Sequence, residues 1–487
     1  MKQDELTLAF DIGTSAVKGA LFDSRGACVF EARVTYGHKM PHPGWLEQDP
    51  GDWIQCMRNV AAQAWEFTDM QRITGIGICS QVNTHVFVDE LGEPLRSAIV
   101  WQDQRCADVA EDLRRRALLS FTTTNVPVDA SSLLSRAEWV CRNEPQVWKR
   151  TRWILSPKDY CILLLTGHAV TDPMTSIGLV DMEGEYLGAA ISLVAGLEHR
   201  LPPIRPMVHC AGRTRVDWLP REIPVVVGTM DAWASLLGSG VGAAGDAFQV
   251  AGTSEVIGML SSLREAAPGI VTFPRFNELH LHAGPTQAGG DALKWFAQVI
   301  DKDIDGILAL ASTPAAADEP LLFLPHLMGE RAPLWDSVAR GVFIGLSKCH
   351  RASDMALAVL RGVAMSARHL LEEVERSAAT SCTELRISGG ASGSDLWCQI
   401  KADVMNRTLH RVENRDSSAF GAALLARGIA SGSTRNADPN EAPIRIEKSF
   451  KPDQSLAGFY RELYGAYRDA YKGLKPAFAA LGRLRPV

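Results

Sequence analysis

At 487 residues the chain is too long for one ordinary domain and suits two or three, each able to bury its own core. Apolar residues make up 46% and charged residues 22%, which excludes a disordered chain. A net charge of −6 and a pI near 6.1 offer no basic face to displace counterions, which excludes sequence-independent nucleic-acid binding.

Ten cysteines are scattered from Cys28 to Cys398 with no C-x-x-C pair, so neither a zinc site nor a disulfide framework is indicated. The opening residues do not read as a signal peptide, and no apolar run approaches the roughly 20 residues of a membrane span. The expectation is a cytoplasmic protein with no membrane partner. Arg114-Arg115-Arg116 reads as a solvated helix face.

The first predicted strands cover 6–12, 16–23 and 27–36 and form an antiparallel meander, joined by Gly13-Thr14-Ser15 and by Ser24-Arg25-Gly26. The first turn is either an ordinary hairpin or a concave anion site, in which backbone N–H groups are joined by the Thr14 and Ser15 hydroxyls and by the charge of Lys18. It lacks the P-loop spacing. Asp11 stands two residues before this turn and would repel a phosphate held there unless a cation lay between them.

Asp49 and Pro50 are N-cap and first residue of a predicted helix, and a strand follows at 73–79. The loop "SQVNTHVFVD" (80–89) comes next, then "WQDQR" (101–105), where Asp103 is either a hydroxyl acceptor or the partner of Arg105. Residues 223–240 read as a buried strand running into a helix. At that junction Asp231 is either a helix N-cap or a general base for a substrate hydroxyl.

"GSGVGAAGD" (238–246) is the predicted boundary, giving domains 1–242 and 243–487. The second half opens with another strand, turn and strand over 247–260, whose turn is again Gly252-Thr253-Ser254, so an internal duplication is plausible. In "HLMGERAP" (326–333), Glu330 and Arg331 read as an ion pair or a substrate contact. A strand at 384–388 runs into Gly389-Gly390, and a helix follows over 393–406 with Ser394 in its first turn. The glycines would let a flat ring approach the backbone, or serve only as a tight connection. A strand at 409–412 and helices at 418–430 and 455–472 complete an α/β pattern, the last helix packing back on one half.

The motifs "DIGTSAVK", "GWLEQDPGDW", "IVWQDQRC", "SPKDYCILLLTGHAVTD", "GTMDA", "AGTSE", "FLPHLMGERAPLWD", "SGGASGSDLWCQIKADVMN" and "FGAALLA" occur in the order seen in the FGGY carbohydrate kinases. The chain resembles that family from about residue 6 to 430, and its xylulokinase branch most. The resemblance implies a two-domain α/β protein of the actin-like, ribonuclease H-like fold, with ATP and a sugar or polyol in the interdomain cleft. It also implies that Asp11 helps place Mg2+ and that Asp231 is the catalytic base. Gly13, Thr14, Ser15 and Lys18 match the first phosphate segment, and Gly252, Thr253 and Ser254 the second. Gly389, Gly390 and Ser394 match the adenosine site. Relatives include homodimers.

The acceptor loop departs from the family. Xylulokinases usually show Gln-Met-His, whereas here Gln81 is followed by Val82 and Asn83, with His85 two residues later. An Asn amide can read a hydroxyl without ionising near neutral pH. The base is followed by Ala232 rather than the usual Asn, then by Trp233, which reads as core packing or a pocket wall. With Gln81, Val82, Asn83, Asp103 and Asp231 as candidate acceptor contacts, the expectation is an ATP- and Mg2+-dependent kinase for a ketopentose such as D-xylulose. A polyol or other ketose kinase is the alternative, and a non-catalytic actin-like ATP or sugar sensor a further one.

Overall fold

Leu6–Ile12 (β1) is buried along its whole length, as expected of a strand covered on both faces. The computed structural model describes residues 5–117, 126, 128–219, 222–265, 267–313, 319–430 and 444–484. The chain divides into two compact units. Unit 1 comprises Met1–Gly242, Thr272–His280 and Asp416–Ile444, and unit 2 comprises Ala243–Val271, Leu281–Arg415 and Arg445–Val487. Two stretches beyond residue 242 thus belong to unit 1, which corrects the expectation of an uninterrupted 243–487 domain.

Unit 1 is built on a twisted sheet in the order β3 (Cys28–Thr35), β2 (Ala16–Phe22), β1, β4 (Ile73–Ser80), β6 (Pro224–Val226), β5 (Cys210–Arg213), with β7 (Thr229–Met230) also paired to β4. The meander β1–β2–β3 is antiparallel, whereas β1, β6 and β7 run parallel to β4.

Residues along β1 alternate between two cores. Leu6, Leu8, Phe10 and Ile12 enter one with Trp53, Met57 and Val60 of α1 (Pro50–Phe67). Asp49 caps that helix through Gly51 N–H, with Pro50 in its first turn. Two further unit 1 helices are α2 (Leu133–Asn143), with its own core against Phe87 and Ile99, and α3 (Pro157–Thr166), which joins the α1 core.

On the opposite face of the sheet Ala9 and Cys79 meet α4 (Asp231–Gly238) and α8 (Ser417–Ala430). The side chains here are small because the helices lie at backbone contact. A Cβ on Gly77 would stand 1.9 Å from the Ala422 carbonyl oxygen, one on Gly421 1.8 Å from that of Ala234, and one on Gly238 1.9 Å from that of Ser417. This is why residues from the far end of the sequence belong to unit 1.

Unit 2 carries the sheet β10 (Val271–Thr272), β11 (His280–Pro285), β9 (Glu255–Ser261), β8 (Ala247–Ala251), β12 (Glu384–Ser388), β13 (Thr408–Val412), β14 (Ile446–Phe450). From the β8–β9 hairpin outward it repeats unit 1: a parallel strand, a second parallel strand, then an antiparallel one. The shared order supports the duplication read from the two Gly-Thr-Ser turns. Helices α5 (Gly290–Val299), α6 (Ala352–Ala378), α7 (Asp395–Met405) and α9 (Ala457–Leu481) cover it. The last of these runs nine residues past its predicted end at 472 and buries Tyr460, Tyr464, Tyr467 and Phe478 in the unit 2 core. Among the described residues no helix is long and apolar enough to cross a membrane.

The G77A variant tests the close approach. Its methyl group meets a main-chain carbonyl that cannot rotate away, so the variant should lose about 1–3 kcal/mol of stability, read as a lower urea midpoint at unchanged slope.

Candidate active site

Loops leaving the carboxyl ends of parallel strands are where open α/β sheets place their ligand sites. In unit 1 the register aligns Asp11 of β1 with Cys79 of β4, and Cys79 with Thr229 of β7. Gln81 therefore follows β4 and Asp231 follows β7 at one edge of the sheet. Burial pushes the Cys79 thiol well above its ordinary value, and the Asp11 and Asp231 carboxylates push it further. The thiol is thus a neutral group with a carboxylate on either side.

Asp11 is nearly fully buried. Its Oδ2 accepts from Ser418 Oγ at 2.8 Å and lies 3.6 Å from Lys18 Nζ. Lys18 Nζ is also 2.8 Å from Asp416 Oδ2, and Ser418 Oγ is 2.8 Å from Asp416 Oδ1, so the single hydroxyl proton serves one carboxylate at a time. Burial raises the Asp11 pKa; Lys18 opposes it, Asp416 adds to it, and the net shift is upward. Lys18 is shifted upward too, held charged by the two carboxylates against its burial.

Asp11 Oδ1 is buried with no hydrogen-bond partner. An unpaired buried acceptor is costly, and a hard carboxylate oxygen suits Mg2+, so the residue fits a divalent ion. Among the described residues no group of three or more His, Cys, Asp or Glu could hold a metal. Asp11 is the residue that would hold such an ion.

Asp231 is half-buried at the first position of α4, and the N-cap is Met230, which makes no side-chain cap. The N-cap alternative for Asp231 is thereby corrected. Its Oδ1 accepts from Ala232 N–H at 2.7 Å. Behind it Thr229 Oγ1 donates to Asp172 Oδ2 at 2.9 Å, and Asp172 shares the fully buried Lys158 ammonium with Asp159 at 3.0 and 2.6 Å. Trp233 lies in the core, edge-on to Phe273 and Phe276.

The first Gly-Thr-Ser turn is braced from several sides. Gly13 N–H closes it on Ala16 O at 3.0 Å, Tyr36 OH donates to Gly13 O, and Gln48 Nε2 donates to Thr14 O at 2.6 Å. Trp101 Nε1 donates to Thr14 Oγ1 at 3.0 Å, and Ser15 is exposed. Gln81 is buried, its Nε2 donating to Gln48 Oε1 at 2.9 Å and its main-chain N–H to Ile12 O. Gln48 thus links the turn to Gln81.

In unit 2 Gly252 N–H closes the second turn on Ser254 O at 3.0 Å. The start of α5 supports it: Gly290 and Asp291 N–H donate to Gly252 O and Thr253 O at 2.9 and 3.1 Å. A Cβ on Gly289 would stand 2.6 Å from Thr253 O, so glycine is required. Glu255, just after the turn, is fully buried between Lys401 Nζ and Gln249 Nε2.

The glycines after β12 differ. Gly389 has φ +88° and no room for a Cβ, which would lie 2.5 Å from Ala251 O. A Cβ added at Gly390 would meet nothing within 4 Å, so nothing in the chain demands glycine there. Ser394 is the N-cap of α7, accepting from Trp397 N–H at 3.3 Å.

Val82 and Asn83 are half-buried, and Asn83 has φ +56°. His85 is buried against the Arg136 guanidinium at 3.2 Å, and burial and that charge hold its pKa well below 6.5. Asp103 needs correction: it is fully buried, both oxygens accept from Arg105, and Oδ2 also takes Leu46 N–H. A carboxylate so filled has no oxygen to offer a sugar hydroxyl. Glu330 pairs with His326 at 2.8 Å and takes Arg331 N–H at 3.0 Å, and the Arg331 guanidinium donates to Thr286 O.

Sequence reading missed Asp416 and Ser418, 405 and 407 residues from Asp11 in the chain, together with Gln48, Trp101 and Asp172. Of these, Gln48 lies within the quoted "GWLEQDPGDW" and Trp101 within "IVWQDQRC"; the first two become visible only once α8 is known to pack in unit 1.

The architecture is that of a two-domain α/β protein of the actin-like ATPase fold. The chain belongs to the FGGY family of carbohydrate kinases, whose N-terminal domain matches residues 6–238 and whose C-terminal domain matches 247–428. It is therefore an ATP-dependent carbohydrate kinase. It is 29% identical to a xylulose kinase of Lactococcus lactis, over 96% of each chain. It is 27% identical to a glycerol kinase of Thermococcus gammatolerans, over 96% of this chain and 98% of that one. The solved xylulose kinase of Rhodospirillum rubrum superposes with a TM-score of 0.86 at 28% identity, covering 98% of this chain and all of that one.

The Asp11 shift has a thermodynamic sign. Its carboxyl binds a proton more tightly in the folded chain than at the unfolded value near 3.8, so stability falls as pH rises from that value through the folded pKa. Above the unfolded value the raised pKa therefore works against stability, and D11N should melt at or above the wild-type temperature at pH 7.

Proposed function

We propose that this kinase transfers the γ-phosphoryl group of ATP to a hydroxyl of a ketopentose such as D-xylulose, with Asp231 as general base. The carrying observation is the pair of carboxylates either side of Cys79 of β4: Asp11 on β1 and Asp231 just after β7, both parallel neighbours of β4.

Asp231 would accept the proton of the acceptor hydroxyl as its oxygen bonds to phosphorus and the bond to the ADP oxygen breaks. It stands half-buried at the first position of α4, with Oδ1 taking Ala232 N–H. In unit 1, Gly13 closes the turn from which Thr14 and Ser15 would offer N–H and O–H donors to phosphate oxygens, and Lys18 would offer a positive charge. In unit 2, Gly252, Thr253 and Ser254 form the second phosphate segment, and Gly389, Gly390 and Ser394 the adenosine segment. The open space at Gly390 supports that assignment, since a side chain there would fill room the fold itself does not use. Mg2+ held at Asp11 would supply neutralising charge to the phosphate oxygens.

Gln81, Val82 and Asn83 are proposed to read the acceptor. Likeness to xylulose kinases favours a ketopentose. Asn83 in place of the usual His, and likeness to a glycerol kinase, keep a polyol or another ketose as the second reading. A sensor that binds without transfer has no use for a carboxylate at 231.

In D231N, kcat with the best acceptor should fall by roughly 10²–10⁴, the share of a positioned base, while KM for ATP stays within about twofold. A variant that retains wild-type kcat would remove Asp231 from the role of base.

A further inference from the structure

Arg136, on α2, is fully buried and is spent on main-chain oxygens and the His85 ring, whose Nδ1 lies 3.2 Å from Nη1. Its Nη1 donates to Asn83 O and, at 2.6 Å, to Ile99 O; Nη2 donates to Val100 O at 2.6 Å, and Nε reaches Ala130 O at 3.4 Å. Among the described residues no carboxylate pairs with it within 4.0 Å. A buried cation is costly, and here its fan of donors gathers three separate loop segments.

One of those segments holds Asn83 with φ +56°, a backbone conformation that L-residues adopt only at a cost and that Asn tolerates best. The Asn83 amide is fixed as well: Nδ2 donates to Ser131 Oγ at 3.3 Å, and Ser131 Oγ donates to Asp129 Oδ1 at 2.6 Å. Those bonds use one amide proton and leave the amide oxygen as an acceptor. Val100, held by the same guanidinium, leads directly into Trp101, which donates to Thr14 in the first phosphate turn.

We propose that Arg136 and Ser131 are positioning residues that clamp Asn83, the guanidinium on its carbonyl and the hydroxyl on its amide, and so set which sugar hydroxyl pattern the kinase prefers. This rests on the reading of Asn83 as an acceptor contact. Neither residue touches the acceptor. Both act by fixing the direction of one amide.

The test compares kcat/KM for the preferred acceptor with that for its epimer in wild type, R136K, S131A, N83G and the R136K/N83G double variant. Lysine keeps the charge but cannot fan out to four carbonyls, and glycine at 83 keeps the left-handed backbone unstrained. R136K and S131A should each lower the preference about tenfold, the size of one misdirected hydrogen bond, mainly through KM for the acceptor. The double variant should be no less selective than N83G alone. A shifted N83G beside unshifted R136K and S131A overturns the clamp while leaving Asn83 at the acceptor. An unshifted N83G overturns that placement and the clamp together. Should R136K fail to fold, S131A decides: an unchanged ratio overturns the proposal.

Discussion

Gly77 has no side chain, and the Ala422 carbonyl lies where its Cβ would be. That contact lets α8 rest on β4 at backbone distance, and α8 in turn meets α4 through Gly238 and Gly421. The consequence is chemical as well as structural. Ser418 and Asp416, hundreds of residues away in the chain, are delivered to Asp11 and Lys18. The helix that carries Asp231 is packed by the same contact. A bulkier residue at 77 would separate the elements that supply the site.

The site is held against its own electrostatics. Asp11 is buried with one oxygen unpaired, and burial outweighs the help of Lys18. Such an arrangement is poor for stability and useful for function, because a divalent ion or a phosphate can satisfy what the fold leaves unsatisfied. Elsewhere the balance is struck inside the protein: Lys158 with Asp159 and Asp172, Lys401 with Glu255, and Arg105 with Asp103 are closed buried pairs. The contrast distinguishes groups that support the site from groups that act in it.

Local chemistry made much of this legible in the sequence. Gly-Thr-Ser between two apolar runs foretells each hairpin, Asp49-Pro50 foretells the start of α1, and alternating strands and helices foretell the α/β class. Asp11 stood out because a carboxylate before a phosphate-type turn needs an explanation. Burial and long-range partners stayed hidden. "WQDQR" offers Asp103 and Arg105 as equals, and only three dimensions reveal that Arg105 fills the carboxylate. The loop at 80–85 read as polar and available, yet His85 is enclosed by Arg136, which the sequence places in an unremarkable helix. The first division falls at Gly242/Ala243, but the return of 416–444 to unit 1 stayed hidden, because nothing local at 416–430 reveals which sheet its small residues fit.

The most direct measurement is acceptor-stimulated ATP consumption, with Mg2+, across ketopentoses, ketohexoses, tetritols, pentitols and glycerol, each against a no-sugar control and with the phosphorylated product identified by NMR. The account predicts strong stimulation by a ketopentose and a single phosphorylated hydroxyl. Stimulation confined to a polyol would contradict the substrate assignment, and no stimulation by any acceptor would contradict the placement of Asp231 as the base of a sugar kinase.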